Sequence, residues 1–232
     1  MNRPVESGLS MVSGGLSAPE ERAALDGSDA AADRLARRRL TTEERRQQIV
    51  DAAAELFDKV GYSSTSMEDI AAVVGVAKPT LYHYFPGKDA VLLEIHEAFI
   101  DLLTRQHAER VAADLGPEQL LLEIMADILE LMRTHRGHVR VYFEHYRELP
   151  HEARAASRIK RDAYHAAVVE IFREGTAKGV FKPVDPELAA KAMFGMCNWA
   201  YQWYMDDMPL RPRDIAYRFW SFLVHGVGAA GS

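Results

Sequence analysis

The chain has 232 residues, of which 48% are hydrophobic and 27% are charged, and its formal net charge is −6. This composition is typical of a globular protein with one large or two small domains, and the negative charge excludes general polyanion binding by the whole surface. A single cysteine excludes a disulfide framework, and the lack of a signal pattern or of a roughly 18-residue apolar run favours a cytoplasmic protein without a membrane span.

The first segment, residues 1–36, is rich in Ser, Gly, Ala and acidic residues and shows no sustained period. It predicts a disordered tail, and a short Ala-rich helix over 18–36 is the alternative. The net charge is −3 over residues 1–36, +1 over 37–88 and −4 over 89–232. Any anion-binding surface must therefore be confined to a small part of the protein surface.

Helical periodicity begins at residue 42, where apolar residues recur on one stripe from Ile49 to Val60 and the pattern ends at Gly61. A second, short helix follows Ser66, which forms a capping box with the acid three residues later, and ends before Gly75. A third helix is predicted over 77–84, with Pro79 in its first turn and a break at 86–87.

The remaining segments also have helical patterns, separated by joints at Gly116, Gly137, Pro150 and Gly179. We expect helices over about 88–113, 117–136, 138–148, 151–178, 186–206 and 212–228. The predicted fold is all-α with about nine helices. It divides into an N-terminal domain over 37–88 and a C-terminal domain over 89–232.

Two short helices joined by a glycine turn are typical of a helix-turn-helix, whose second helix enters the DNA major groove. Leu81 and Phe85 are four residues apart and can face inward, which leaves the polar and aromatic residues between 78 and 84 outside. On spacing alone, a short surface helix with half-buried tyrosines is an equal alternative.

Residues 42–88 resemble the N-terminal domain of the TetR family of transcriptional regulators. The resemblance depends on the Ala-Ala-Ala-Glu-Leu-Phe run at 52–57, on Gly61-Tyr62, on Ser66 with Asp69-Ile70-Ala71, on Gly75-Val76, and on 81–85 followed by Lys88. It implies a dimeric, ligand-responsive regulator that binds double-stranded operator DNA.

The resemblance places the DNA contacts at the start of the second helix, along the third and at the start of the fourth. Ser66, Tyr84 and Lys88 suit phosphates, and Lys78, Thr80 and His83 are candidates for the groove. Ala77 and Gly87 stand where family members often have capping side chains. The full set of predicted contacts is Thr65, Ser66, Lys78, Pro79, Thr80, Tyr82, His83, Tyr84 and Lys88.

Arg37, Arg38 and Arg39 directly precede the first helix. A flexible basic arm at this position could enter the minor groove, as homeodomain arms do. A solvated run of charge is the equal alternative.

The last two helices carry apolar stripes suited to pairing, and the resemblance implies a four-helix bundle across a two-fold axis. The alternative is that both stripes close the core of one subunit. The predicted dimer contacts are Leu188, Ala192, Trp203, Ile215, Phe219, Phe222 and Leu223.

Large, soft and aromatic side chains on the middle helices suit an elongated apolar ligand, although core packing is the default role for each. The predicted ligand contacts are Ile128, Met132, Arg140, Tyr142, Phe143, Tyr146, Tyr164, Phe172, Met196 and Trp199.

Residues 133–161 hold eight Lys or Arg against three Glu. A solvated face or a patch near DNA would explain this run, and a site for a phosphate-bearing ligand is the sharper hypothesis. Residues 135–204 are also similar, more weakly, to the branch of the family that controls fatty-acid and sterol breakdown. A fatty acyl or steroid CoA thioester is therefore the leading effector hypothesis, and a free lipophilic or drug-like molecule is its rival.

We expect no cofactor and no metal site. His135, His138 and His145 lack the spacing of a metal motif, and no catalytic or phosphate-loop motif is present. A helical enzyme and a protein-interaction module are the remaining alternatives to a repressor.

Overall fold

The computed structural model describes residues 40–226, and within them the chain forms nine α-helices and two short 3-10 helices. The prediction of an all-α fold with about nine helices is confirmed. None of the described helices is long and apolar enough to cross a membrane. The helices are α1 (Thr42–Val60), α2 (Met67–Val74), α3 (Lys78–Tyr84), α4 (Lys88–Ala112), α5 (Pro117–Thr134), α6 (Arg136–Glu144), a 3-10 turn (Tyr146–Glu148), α7 (His151–Ala177), α8 (Pro186–Asn198), a 3-10 turn (Trp199–Gln202) and α9 (Pro212–His225).

Several predictions fall outside the described residues. These are the tail over 1–36, the basic run of Arg37, Arg38 and Arg39, and the end of the last helix at 228. They stay predictions.

The short helices α2 and α3 begin and end where their local sequence allows. Ser66 accepts a hydrogen bond from the Asp69 amide (3.1 Å), and its own amide donates to the Asp69 carboxylate (2.8 Å), which completes the predicted capping box. Gly75 adopts φ 75° at the end of α2, a conformation that glycine reaches without steric cost. The chain therefore reverses between α2 and α3 in a short turn.

Helices α1 to α3 pack into an N-terminal core that they do not complete alone. Its central side chains include Phe57, Ile70 and Leu81, each at most 1% exposed. The same cluster contains residues far along the chain, so it extends beyond the predicted domain boundary at residue 88. These later members are Val91, Leu92 and Ile95 of α4, Val141 of α6, and Leu149.

A second, larger C-terminal core is formed by α4 to α9, with residues such as Ile124, Val168 and Met193 fully buried. Ion pairs join neighbouring helices at one end of this core. Arg110 of α4 pairs with Asp127 of α5, and Arg213 of α9 pairs with Glu123 of α5 through a 3.1 Å hydrogen bond. Helix α4 contributes to both cores and so links the two halves.

The structure differs from the sequence prediction at three helix ends. The break expected at Gly137 lies at His135, whose backbone (φ −137°, ψ 40°) ends α5 and precedes α6. Gly137 lies inside α6, where a Cβ would come within 3.3 Å of the Ala54 carbonyl oxygen on α1. Helix α6 ends at Glu144 and α8 at Asn198, because each continues as a 3-10 turn rather than an α-helix.

Gly175 marks a second close approach, on α7. The amides of Val180 and Phe181 both donate to its carbonyl oxygen, at 2.8 and 3.1 Å, which folds the Phe181 ring back onto the helix. A Cβ at position 175 would overlap that ring. Glycine is therefore required here by packing.

We predict that Gly175→Ala lowers the free energy of unfolding by about 1–3 kcal/mol, because overpacking outweighs the roughly 1 kcal/mol gain in helix propensity. Gly175→Ala made in a Phe181→Ala chain, and compared with Phe181→Ala alone, is the matched control, since the ring that the Cβ would meet is then absent. In that background the substitution should be neutral or stabilising by up to ~1 kcal/mol. Urea unfolding in both backgrounds checks this, and equal stabilisation in both would contradict it.

Candidate functional sites

Helices α2 and α3 present a continuous outer surface on the N-terminal core. Leu81 and Phe85 are at most 1% exposed, as the spacing predicted, and anchor α3 inward. The intervening side chains point away from the core, with Tyr84 half-buried. The exposed residues of α3 are Lys78, Pro79, Thr80, Tyr82 and His83.

The neighbouring side chains that we predicted to contact DNA already form hydrogen bonds within the protein. Thr65 is 2% exposed and its hydroxyl donates to the Gly61 carbonyl (2.9 Å), so a DNA contact by that side chain would require the bond to break. Lys88 donates to the carbonyls of Tyr62 (2.7 Å) and Thr65 (2.9 Å). Two of its three N–H groups are used inside the protein. Ser66 is exposed, but its hydroxyl serves the α2 cap.

The N-cap positions of α3 and α4 carry no capping side chain. Neither Ala77 at the start of α3 nor Gly87 at the start of α4 gives a side-chain hydrogen bond to its helix. The first amides of these helices therefore have no side-chain acceptor at the N-cap position.

Arg46 of α1 fixes the far end of α3. Its guanidinium donates to the Tyr84 carbonyl (3.0 Å), pairs with Glu94 of α4 (2.7 Å) and lies 4.2 Å above the centre of the Phe85 ring. The α1–α2 turn is held similarly, since the Tyr62 hydroxyl donates to Asp89 of α4. The orientation of α3 thus depends on the first two turns of α4.

A cavity of about 400 Å³ lies in the C-terminal domain, lined by five helices and open to solvent on one side. Helix α4 supplies one wall, α6 and the following 3-10 turn supply another, and α5, α7 and α8 complete it. Most of the lining is aromatic or aliphatic. The lining residues are Phe99, Ile100, Leu103, Ile128, Tyr142, Phe143, Tyr146, Arg161, Asp162, Tyr164, His165, Phe194 and Asn198.

Polar groups gather on the α7 and α8 side of this cavity. The Arg161 guanidinium lies 5.2 Å from the centre of the Tyr146 ring, and its nearest carboxylate contact, to Asp162, is long at 3.9 Å. The His165 ring stacks on Phe194 with a centroid distance of 5.7 Å. An exposed arginine beside an apolar chamber can attract an anionic group without burying it.

Comparisons with known proteins agree with this architecture. Residues 49–95 match a family model described as bacterial regulatory proteins of the tetR family, and residues 114–227 match one described as a tetracyclin repressor-like C-terminal domain. The crystal structure of AibR in complex with isovaleryl coenzyme A and operator DNA is 30% identical, with a TM-score of 0.70 over 78% of this chain and 98% of that one.

The chain belongs to the TetR family.

Further relatives support the assignment. The TetR-family regulator PfmR of Thermus thermophilus is 28% identical, with a TM-score of 0.73 over 78% of this chain and 99% of that one. The repressor KstR2 of Rhodococcus jostii is 25% identical over 188 residues, which are 80% of this chain and 92% of that protein. The prediction of a transcriptional regulator rather than an enzyme is confirmed.

The cavity of this TetR-family chain contains five of the ten predicted ligand contacts, namely Ile128, Tyr142, Phe143, Tyr146 and Tyr164. The other five lie elsewhere. Met132 and Phe172 are buried in the C-terminal core, and Met196 is half-buried against it. Arg140 faces α1, and Trp199 is 63% exposed over a shallow groove.

Sequence reasoning missed the α4 wall and the polar side of the cavity. Phe99, Ile100 and Leu103 follow the same apolar period as ordinary core residues, so no local signal separates them. Arg161 and His165 share a helical face with Tyr164, which is a signal that was available. The remaining missed positions are Asp162, Phe194 and Asn198.

Helix α6 connects the cavity to the helix-turn-helix domain. Tyr142 and Phe143 line the cavity, while the opposite side of the same helix packs against α1 at Gly137. Two side-chain contacts flank that approach, the His138 ring with the Asp51 carboxylate and the Arg140 guanidinium with the Asp58 carboxylate, each at 3.1 Å. The pairing with His138 lowers the pKa of Asp51. Arg140 thus binds the N-terminal domain.

The predicted dimer contacts divide into two groups. Leu188 and Phe222 are large apolar side chains that are 65% and 52% exposed. Ala192 and Trp203 are also exposed, and Phe219 and Leu223 are partly buried. Ile215 is 4% exposed and packs in the core of its own subunit, so it does not belong to the outer stripe.

The histidines show no metal geometry. The His135 and His138 rings lie 5.6 Å apart, and among residues 40–226 no group of three His, Cys, Asp or Glu could hold a metal ion.

His96 is buried directly behind the cavity wall. Its ring is fully buried, lies 5.0 Å from the Tyr142 ring and 6.0 Å from the Tyr146 ring, and neither ring nitrogen has a partner among the described residues. Burial, with smaller contributions from His145 and Arg161, lowers the pKa of His96 from 6.5 to about 4. The imidazole is neutral at pH 7.

Because His96 is buried with a lowered pKa, we predict that the protein loses stability over a defined range of acidic pH. Well above pH 6.5 His96 is neutral in both states. As the pH falls through 6.5 towards 4, the unfolded chain takes up a proton that the folded chain does not, so stability falls. The full range corresponds to about 3 kcal/mol. In His96→Leu the loss of stability between pH 7.5 and 4.5, measured by urea unfolding, should shrink by most of this amount. An undiminished loss would contradict the prediction.

Proposed function

We propose that this TetR-family chain is a dimeric repressor that binds operator DNA through α2 and α3 and releases it when an apolar effector occupies the cavity. The observation that carries the proposal is the double role of α6, which forms a cavity wall and packs on α1. A coupling of about 1–3 kcal/mol between the two sites would change operator affinity 5- to 150-fold. Such a regulator would act in the cytoplasm, where the DNA is.

The DNA-binding part of the proposal is supported by the exposed residues of α3 and by the relatives. AibR was solved with operator DNA, and KstR2 is a repressor. Hydroxyl, ammonium and imidazole groups on α3 suit phosphates and base edges. Lys78, Thr80 and His83 stay our candidates for the groove, and Ser66, Tyr84 and Lys88 for the phosphates.

An acyl CoA thioester is the effector class that the cavity suits best. A volume of about 400 Å³ accommodates an acyl group but not the nucleotide of CoA, which would have to lie outside. Arg161 lines the cavity, and Arg154 and Arg158 lie on the same face of α7. AibR binds isovaleryl coenzyme A, so the class is known for a relative.

Much of the basic run from 133 to 161 is already paired. Arg133 pairs with Glu130, Arg140 with Asp58, and Lys160 with Asp101. Among the described residues, Arg136, Arg147 and Arg154 of this run form no ion pair. Arg136 donates to the Tyr204 carbonyl (3.3 Å), which leaves Arg147 and Arg154 available for phosphates. The proposed phosphate site can therefore draw on fewer cations than the basic run contains.

The test compares two forms of one thioester. DNA flanking the gene is incubated with the purified protein, and its release is followed by fluorescence anisotropy as either isovaleryl-CoA or isovaleryl N-acetylcysteamine is added. The second compound has the acyl thioester but lacks the phosphates. We expect the CoA form to release DNA at about tenfold lower concentration and Arg161→Ala to remove that advantage, because a charge-assisted contact is worth about 1.5–3 kcal/mol.

Arg173→Ala is the matched control, since Arg173 lies on the same helix, is exposed and pairs with Glu170 away from the cavity. Equal potency of the two compounds with wild-type protein would contradict a CoA-specific site. Release by neither, with another apolar molecule copurifying in native mass spectrometry, would favour the rival effector class.

Pairing through α8 and α9 is supported by their exposed apolar side chains, which a monomer would leave in water. We predict that Leu188→Glu converts the dimer to a monomer in analytical ultracentrifugation with unchanged helical circular dichroism. Val180→Glu, which places the same charge on an apolar residue that is 40% exposed after α7, should leave the dimer intact. A dimeric Leu188→Glu protein would contradict this interface.

A further inference from the structure

An ion pair joins α2 to α3 on the proposed DNA-binding surface. Lys78, the first residue of α3, donates to Glu68, the second residue of α2, and both side chains are 55% exposed. The Lys78 ammonium also lies 5.8 Å from the centre of the Tyr82 ring. The hydrogen bond to Lys78 lowers the pKa of Glu68, so the carboxylate is charged at neutral pH.

The charge of this surface is unusual for a surface that meets DNA. Residues 67–84 contain one Lys, no Arg and two acids, which is a formal net charge of −1. Asp69 is bonded to Ser66 in the α2 cap, and Glu68 is bonded to Lys78, the single lysine between residues 67 and 84. DNA-binding surfaces normally carry clustered cations, because neutralising phosphates supplies most of the non-specific affinity.

The pair offers one donor group and one acceptor group side by side. In the major groove, lysine donates to O6 or N7 of guanine, and a carboxylate accepts from the N4 amine of cytosine. Guanine O6 and cytosine N4 are adjacent in a C·G pair. A joined Lys78 and Glu68 therefore match one C·G pair and are poorly matched to the oxygens of the phosphate backbone.

We propose that Glu68 is a specificity-determining residue of the DNA-binding surface. It cancels the attraction of Lys78 for phosphates, which weakens binding to unrelated DNA, and it accepts from cytosine at one C·G position of the operator, which strengthens binding to the correct site. Specificity then comes from a repulsive element as well as from an attractive one. The inference rests on the proposed function of α2 and α3.

The effect of removing the carboxylate follows from counterion release. In Glu68→Gln the ammonium of Lys78 is free to neutralise one phosphate. The slope of log affinity against log salt for unrelated DNA should then become steeper by about 0.9. Binding to the operator loses one base contact, so the ratio of specific to non-specific affinity should fall about tenfold.

The experiment uses the full chain and two duplexes, one enriched by wild-type protein from a random-sequence pool and one with the same composition scrambled. Anisotropy is measured over a salt series for wild type, Glu68→Gln, Lys78→Gln and the double variant. In the Lys78→Gln background, Glu68→Gln should no longer steepen the slope. Glu55→Gln is the matched control, because Glu55 forms an exposed ion pair with Lys59 on α1, outside α2 and α3.

The outcomes separate this inference from the proposed function. If Lys78→Gln weakens binding to the enriched duplex while Glu68→Gln changes neither slope nor ratio, the DNA-binding surface is correct and the role of Glu68 is wrong. If the wild type enriches no sequence, or if neither Lys78→Gln nor Glu68→Gln alters binding, both proposals are wrong. A slope change of the same size in Glu55→Gln would also overturn the role of Glu68, since a general charge effect would then explain it.

Discussion

The packing of α6 against α1 is the contact on which the rest of the structure depends. At Gly137 the two backbones approach so closely that a Cβ would lie 3.3 Å from the Ala54 carbonyl oxygen. Val141 enters the N-terminal core from this helix, while Val139 and Tyr142 enter the C-terminal core. Neither core can be completed without α6. The same helix therefore lines the cavity and supports the core on which the DNA-binding helices lie.

Two cations of the N-terminal domain, Arg46 and Lys88, hold its elements together. Arg46 joins α1 to the end of α3 and to α4, and Lys88 closes the α1–α2 turn through two carbonyls. Such partly buried hydrogen bonds from charged donors are stronger than exposed ion pairs, because water competes less for the groups. The outer surface of α2 and α3 is left with neutral donors, aromatic rings, the two acids Glu68 and Asp69, and Lys78.

The helices and the inward-facing residues of α3 could be predicted from the sequence, because periodicity and capping act locally. The sequence was insufficient where a residue's role depends on distant neighbours. Gly137 looked like a helix break, but a glycine within a helix also permits close packing, and only α1 decides between the two. Likewise Phe99 and Phe172 have the same local pattern, yet the first lines the cavity and the second packs in the core. Arg140 was predicted as a ligand contact from the basic run; it pairs with Asp58 of α1, which is far away in the chain and which no local pattern indicates.

The placement of the cavity walls has an evolutionary consequence. Phe194 and Asn198 lie on α8, which packs on α5, α7 and α9. In the proposed regulator, substitutions there would therefore change the effector without altering the packing that supports the DNA-binding helices. Tyr142 and Phe143 lack this freedom, because they share a short helix with Gly137 and Arg140. Descendants of this chain could therefore acquire new signals by mutation of α8 while keeping their operators, whereas changes in α6 would alter both properties together.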